Sequence, residues 1–173
     1  MAFPQLSLEK WLQSGGGTFA RRLWDRLPRP ARASLLHLYP LPRFRVGVLA
    51  VIVNSRGEVL LLDHRFRASD PWGVPGGWLE RLEAPEEGLL RELREELAHA
   101  TTPDALELME VVSRTSRSHL EFFYGLRADI DDIPPNIEFK QARYFPLDAL
   151  PAEMLPLHRE VVLRAARRLR ARG

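Results

Sequence analysis

The sequence predicts an α/β fold, a mixed β-sheet covered by helices, and three observations carry that reading. A nearly continuous apolar run at 46–53, rich in Val and Ile, has the length and composition of a strand buried on both faces. Two segments, 85–97 and 156–172, have helical periodicity. Set among the other strand-like runs they give the order β-β-loop-α-β-β-β-α, which a helix-covered mixed sheet satisfies.

The elements follow in order. Residues 1–44 read as a helical extension punctuated by proline: Ser7 can cap 8–12, Thr18 can cap the amphipathic stretch 19–27, and Gly15, Gly16 and Gly17 separate the two. Pro28, Pro30, Pro40 and Pro42 bracket a short Leu-rich piece at 33–39. The main domain then spans 45–173. Its first strand turns through Asn54-Ser55-Arg56-Gly57 into a second at 59–62, a hairpin signature. A loop runs to Gly77, and the helix at 85–97 starts on Pro85, a residue suited to a first helical turn. Strands are expected at 106–114, 119–128 and 141–145. The closing helix has Leu157, Val161, Val162, Ala165, Ala166 and Leu169 as its apolar stripe.

Composition bounds the function. With 173 residues, 45% of them hydrophobic and 28% charged, the chain fits one globular domain plus an appended segment. There is no cysteine, so a disulfide, a thiolate metal site and a cysteine nucleophile are all excluded. No apolar run approaches the roughly 20 residues that span a bilayer, and the N-terminus lacks a basic segment leading into an apolar one, so the expected location is cytoplasmic, without a membrane partner. The net charge of +2 rests on arginine, Lys10 and Lys140 being the two lysines.

The chemistry concentrates at 77–96. On a helix advancing about 100° per residue, Glu92, Glu95 and Glu96 share one face while Leu90, Leu93 and Leu97 gather on another. Three carboxylates on one face repel each other, and a hard divalent ion with a phosphate resolves the conflict. Arg91, four residues before Glu95, can pair with a carboxylate and hold the array. Pro75-Gly76-Gly77 supplies backbone that can approach a metal or phosphate closely. A solvated acidic helix face is the plain alternative.

Gly77, Glu83, Arg91, Glu92, Leu93, Glu95 and Glu96 fall on the fixed positions of a motif this segment resembles, the Nudix box. The match departs at its end, where Ala98 and His99 replace a glycine and an aliphatic residue, so the helix is expected to end later or through a different cap. The segments 72–77 and 144–151 also look like landmarks of that family. The resemblance implies an α/β/α sandwich with a loop-helix-loop catalytic unit. It further implies Mg²⁺ or Mn²⁺ held by the Gly76 carbonyl with Glu92, Glu95 and Glu96, loop support from Gly77 and Glu83, and cleavage of a phosphoanhydride bond by metal-activated water. Glu92 can act as ligand or base, and Glu138 is the candidate for a carboxylate recruited from outside the motif.

Downstream signatures for ADP-sugars, diadenosine polyphosphates and NADH are missing from 110–118, which leaves a small nucleoside di- or triphosphate as the expected substrate. Phe122 and Tyr124 alternate onto one strand face and can stack on a base, or fill the core. Arg43, Arg45, Arg65 and Arg67 flank the early strands and can clamp phosphates. His64, His99, His119 and His158 show no ligand spacing and receive no role. Arg164, Arg167, Arg168, Arg170 and Arg172 can attract RNA, which would suit an RNA 5'-pyrophosphohydrolase, but as a solvated helix face they leave nucleic acid disfavoured. Two further readings are a nucleotide-binding regulator that has lost catalysis, and a dimerisation role for 1–44 that would make a homodimer.

Overall fold

The structure is a computed structural model and describes residues 15–31, 43–114 and 118–171. Packing divides the chain into two units at the 42/43 junction. In the first, helix α1 (Gly15–Arg26) contains the glycine triplet instead of starting after it, and Thr18 lies within the helix instead of capping it. Glycine weakens a helix by about 1 kcal/mol relative to alanine without forbidding helical backbone angles, so three glycines do not by themselves make a boundary. Phe19 and Leu23 of α1 are exposed. The helix expected at 8–12 and the Leu-rich piece at 33–39 lie outside the described residues.

The second unit contains β1 (Arg45–Val53), β2 (Val59–His64), β3 (Trp72–Gly73), β4 (Gly76–Trp78), α2 (Pro85–Leu97), a 3₁₀ turn (Pro103–Ala105), β5 (Glu107–Arg114), β6 (His119–Arg127), β7 (Phe139–Phe145) and α3 (Pro156–Ala171). One mixed sheet runs β3-β2-β1-β6-β5, with β4 added on β1 and β7 on β2. β1 and β6 are parallel along their whole length, from Arg45 opposite His119 to Val53 opposite Arg127.

The β1–β2 hairpin opens into a wedge. Its turn is closed by Gly57 N–H donating to the Asn54 carbonyl at 2.9 Å, with Gly57 at φ +80°. Beyond Val53 opposite Val59 the strands part. The segment expected as a plain loop fills the gap, β4 pairing Gly76 to Trp78 with Leu49 to Gly47, and β3 pairing Trp72 and Gly73 with Asp63 and Leu62. Such short pairings arise from the splay of the hairpin and leave no periodicity to read.

Period-2 alternation sends β1 and β2 side chains to two cores. Leu49, Val51, Val53, Val59 and Leu61 pack with Phe123 beneath Val161, Val162, Ala165, Ala166 and Leu169 of α3. Val48, Ala50, Ile52, Leu60 and Leu62 pack on the other face with Leu89, Leu93 and Leu97 of α2. Burial on both faces is why β1 is a continuous apolar run. The result is the expected helix-sheet-helix sandwich.

Helix α2 starts with Ala84 N–H donating to the Glu87 side chain at 3.1 Å. It ends at Leu97, where Ala98 adopts the left-handed conformation at φ 51° and its N–H reaches the Arg94 and Leu93 carbonyls. The missing glycine therefore changes neither the end point nor the type of cap, contrary to the expectation. Alanine takes the αL geometry itself, at a cost of about 1 kcal/mol.

Candidate active site

The wedge brings the glycine segment onto the acidic helix. Gly76, at φ +130°, donates its N–H to Glu96 Oε2 at 2.7 Å. Any β-carbon at Gly76 would collide with the Val48 carbonyl, and one at Gly77 would collide with the Glu92 carboxylate. The two glycines thus let β4 lie against β1 and let α2 set its carboxylates directly on β4.

Periodicity placed the three glutamates on one face, but their environments differ. Glu96 is buried at 6% exposure, whereas the Glu95 side chain is 60% exposed and Glu92 is intermediate. Burial pushes the Glu96 carboxyl up to about 8, with Glu92 and Glu138 adding repulsion against the Gly76 hydrogen bond. Glu92 is also raised, first by burial and then by Glu95 and Glu138, although Arg91 opposes the rise. Glu138 itself is exposed, just before β7, within electrostatic range of both.

Arg91 organises the other side. Its Nε donates to Glu83 Oε1 at 3.0 Å, Nη1 to Glu92 Oε1 at 2.9 Å and Glu95 Oε2 at 3.1 Å, and Nη2 to the Trp78 carbonyl at 3.1 Å and Glu83 Oε2 at 3.2 Å. These bonds raise its pKa further above the ordinary arginine value. Glu83 also takes the Glu80 N–H at 2.9 Å, closing the loop before α2. One guanidinium therefore ties the loop, β4 and two glutamates together.

The residues 43–165 match the model of the NUDIX domain. This chain belongs to the Nudix family. An RNA pyrophosphohydrolase of Roseobacter denitrificans is 28% identical over 143 residues, covering 68% of this chain and 86% of that relative. A MutT NUDIX hydrolase from Burkholderia pseudomallei is 26% identical, with a TM-score of 0.61, over 70% of this chain and 98% of that one. A MutT/nudix family protein from Enterococcus faecalis superposes with a TM-score of 0.68 over 92% of this chain and 76% of that one, at 17% identity, a likeness of fold.

Nudix hydrolases are pyrophosphohydrolases of nucleotide-type substrates and generally depend on a divalent metal, and this chain is a hydrolase of that kind. Its residues fit such an ion by their chemistry: a buried carboxylate, a half-buried one and a third nearby repel one another. No three His, Asp or Glu side chains among the described residues form a ready-made metal cage. An ion such as Mg²⁺ completes its shell with substrate phosphates and water rather than relying on a full protein cage.

The remaining candidates separate clearly. Tyr124 is 2% exposed in the core under α2, its hydroxyl donating to Glu86 at 2.7 Å, so it has no open ring face for a base, and the stacking expectation is corrected for it. Both faces of the sheet are core, so strand alternation could not mark either as a ligand face. Phe122 is partly buried against the same core. Arg45 is exposed at the start of β1, and Arg65 is exposed with Nε on the Asn136 carbonyl at 3.0 Å. On α3, Arg164 pairs with Glu110 at 2.8 Å and Arg168 with Glu107.

A second polar cluster went unread in the sequence. His158 Nε2 lies 3.1 Å from Glu121 Oε2, both residues buried, and Arg114 Nη1 lies 3.5 Å from Glu121 Oε1. Burial opposes the Glu121 charge, but His158 and Arg114 hold its carboxyl below the ordinary value. With Arg67, Trp78 and His119 these residues line a cavity of about 290 Å³. The signal was available: Glu121 is the one acid within the apolar run 120–126.

Proposed function

We propose that the chain hydrolyses a phosphoanhydride bond of a small nucleoside di- or triphosphate, with Mg²⁺ or Mn²⁺ as the ion. The observation that carries this reading is the mutually repelling pair of half-buried Glu92 and buried Glu96, with Glu138 in range, set on the glycine strand by Arg91 and Gly76. Glu92, Glu95, Glu96 and the Gly76 backbone would hold the metal. When bound, the ion neutralises phosphate charge and acidifies a water for in-line attack. Arg91 keeps Glu92 and Glu95 in one geometry throughout, so little reorganisation accompanies the reaction. Glu138, unlike Glu92, has no hydrogen-bond partner for its carboxylate among the described residues and is the freer group to take the proton of the attacking water.

An RNA 5' end is the second reading, favoured by the relative named RNA pyrophosphohydrolase. Against it, Glu110 and Glu107 partly neutralise the arginine stripe of α3. Release of phosphate and mononucleotide, measured with each ion across nucleoside di- and triphosphates, nucleotide sugars, dinucleotides and a 5'-triphosphorylated RNA, tests both. Metal-dependent turnover of the small nucleotides supports the first, preference for the RNA supports the second, and binding without turnover across the panel would favour a regulator.

A further inference from the structure

Arg67 sits between the two clusters and belongs to neither. Its side chain is half-buried, and among the described residues it makes no hydrogen bond or ion pair. The two acids that act on it electrostatically, Glu96 and Glu121, are engaged elsewhere: Glu96 takes the Gly76 N–H, and Glu121 is held by His158 and Arg114. Asp63 has the Lys140 ammonium 3.5 Å from Oδ1 and the Gln141 amide on Oδ2, although Oδ1 accepts no hydrogen bond among the described residues.

The surroundings are shaped to keep Arg67 where it is. A β-carbon on Gly73 would collide with Arg67 Nη1 and lie 3.2 Å from His64 Nε2, so both nitrogens face the bare side of Gly73. That His64 nitrogen is buried and has no hydrogen-bond partner. Burial, reinforced by Arg67, keeps the imidazole neutral by lowering its pKa to about 4, so it does not repel the guanidinium.

A half-buried cation whose two neighbouring acids are bonded to other groups is retained where a ligand supplies a free anion. An arginine in that position presents a planar fork of donors matched to two oxygens of a phosphate. We propose that the Arg67 guanidinium, cradled by Gly73, is the seat of a substrate phosphate oxyanion beside the carboxylates that hold the metal. The seat lies on the wall of the cavity formed with Arg114, Trp78, His119, Glu121 and His158, so the phosphate it holds is one that joins the scissile bond to the rest of the substrate. This inference rests on the reading of the substrate as a nucleotide phosphate. It also distinguishes Arg67 from Arg65, two residues away, which is exposed and bonded to a carbonyl.

The test separates binding from turnover. Binding of inorganic pyrophosphate and of ADP is measured by calorimetry in metal-free buffer, alongside thermal melting, for the full chain and for Arg67→Gln, Arg67→Lys and Gly73→Ala. Arg67→Gln is expected to weaken both ligands by roughly tenfold or more, as loss of a charge-assisted bidentate contact does. The same variant should melt at the wild-type temperature or above it, because it removes a half-buried charge that makes no hydrogen bond or ion pair among the described residues. Arg67→Lys should recover part of the affinity, and Gly73→Ala should lose affinity by displacing the guanidinium. Unchanged affinity in Arg67→Gln would overturn the assignment, as would a loss of affinity accompanied by a lowered melting temperature, which marks a structural arginine. Pyrophosphate binding that depends on Arg67 in a protein without turnover would leave this inference standing while the proposed hydrolysis falls.

Discussion

Arg91 and Arg67 both lie beside the carboxylates of α2, under opposite conditions. Arg91 makes five hydrogen bonds, to Glu83, Glu92, Glu95 and the Trp78 carbonyl, while Arg67 makes none among the described residues. The first is a finished piece of structure whose charge is spent within the protein. The second is a charge held in reserve. The contrast teaches that arginines beside a glutamate cluster can serve preorganisation or recognition, and that the census of partners tells them apart better than sequence position does.

The largest expected effect on folding stability comes from breaking the finished side. Arg91→Ala leaves Glu83, Glu92 and Glu95 without their shared cation, and should lower stability by about 3 kcal/mol and turnover by roughly 100-fold. Urea unfolding and steady-state kinetics check both. Wild-type stability in that variant would mean the carboxylates are solvated and the network is incidental.

A smaller effect sharpens the side that awaits a cation. Burial raises the Glu96 carboxyl to about 8, above its unfolded value, so protonated Glu96 suits the metal-free fold. Its contribution is present in full below the unfolded pKa and is lost as pH rises through about 8. A divalent ion reverses that penalty by pairing with the ionised form. The rise in melting temperature on adding Mg²⁺ should therefore be larger at pH 8 than at pH 5.5. An equal rise at both values would detach Glu96 from the ion.

The smallest effect lies at the end of the same helix. Ala98 carries φ 51°, so Ala98→Gly should stabilise the fold by about 1 kcal/mol and leave turnover alone. A destabilised variant would show that the Ala98 methyl contributes packing greater than the backbone strain it brings.

Much of this architecture was legible because local pattern and tertiary role coincide. Helix α2 has the expected bounds, since Pro85 starts it and its leucines repeat at helical spacing, and β1 reads as buried because it is covered on both faces. The pairings of β3 and β4 were not legible, because they depend on how far the β1–β2 hairpin splays. The positions of the glutamates in the motif were readable, but not that Glu96 is buried and Glu95 open: adjacent residues on one helix face differ only through what packs above them, here Gly76. Arg65 and Arg67 were indistinguishable in a loop for the same reason, and Glu121 stood in plain view as an acid in an apolar strand.

The central claim is that the α2 carboxylates power a metal-dependent hydrolysis, and Glu96→Gln tests it most directly because it removes a charge while keeping the shape. Phosphate and mononucleotide release by wild type and variant, with Mg²⁺ and with Mn²⁺, should show turnover in the wild type and a fall of roughly three orders of magnitude in a variant that still folds. Turnover unchanged by the substitution would contradict the account.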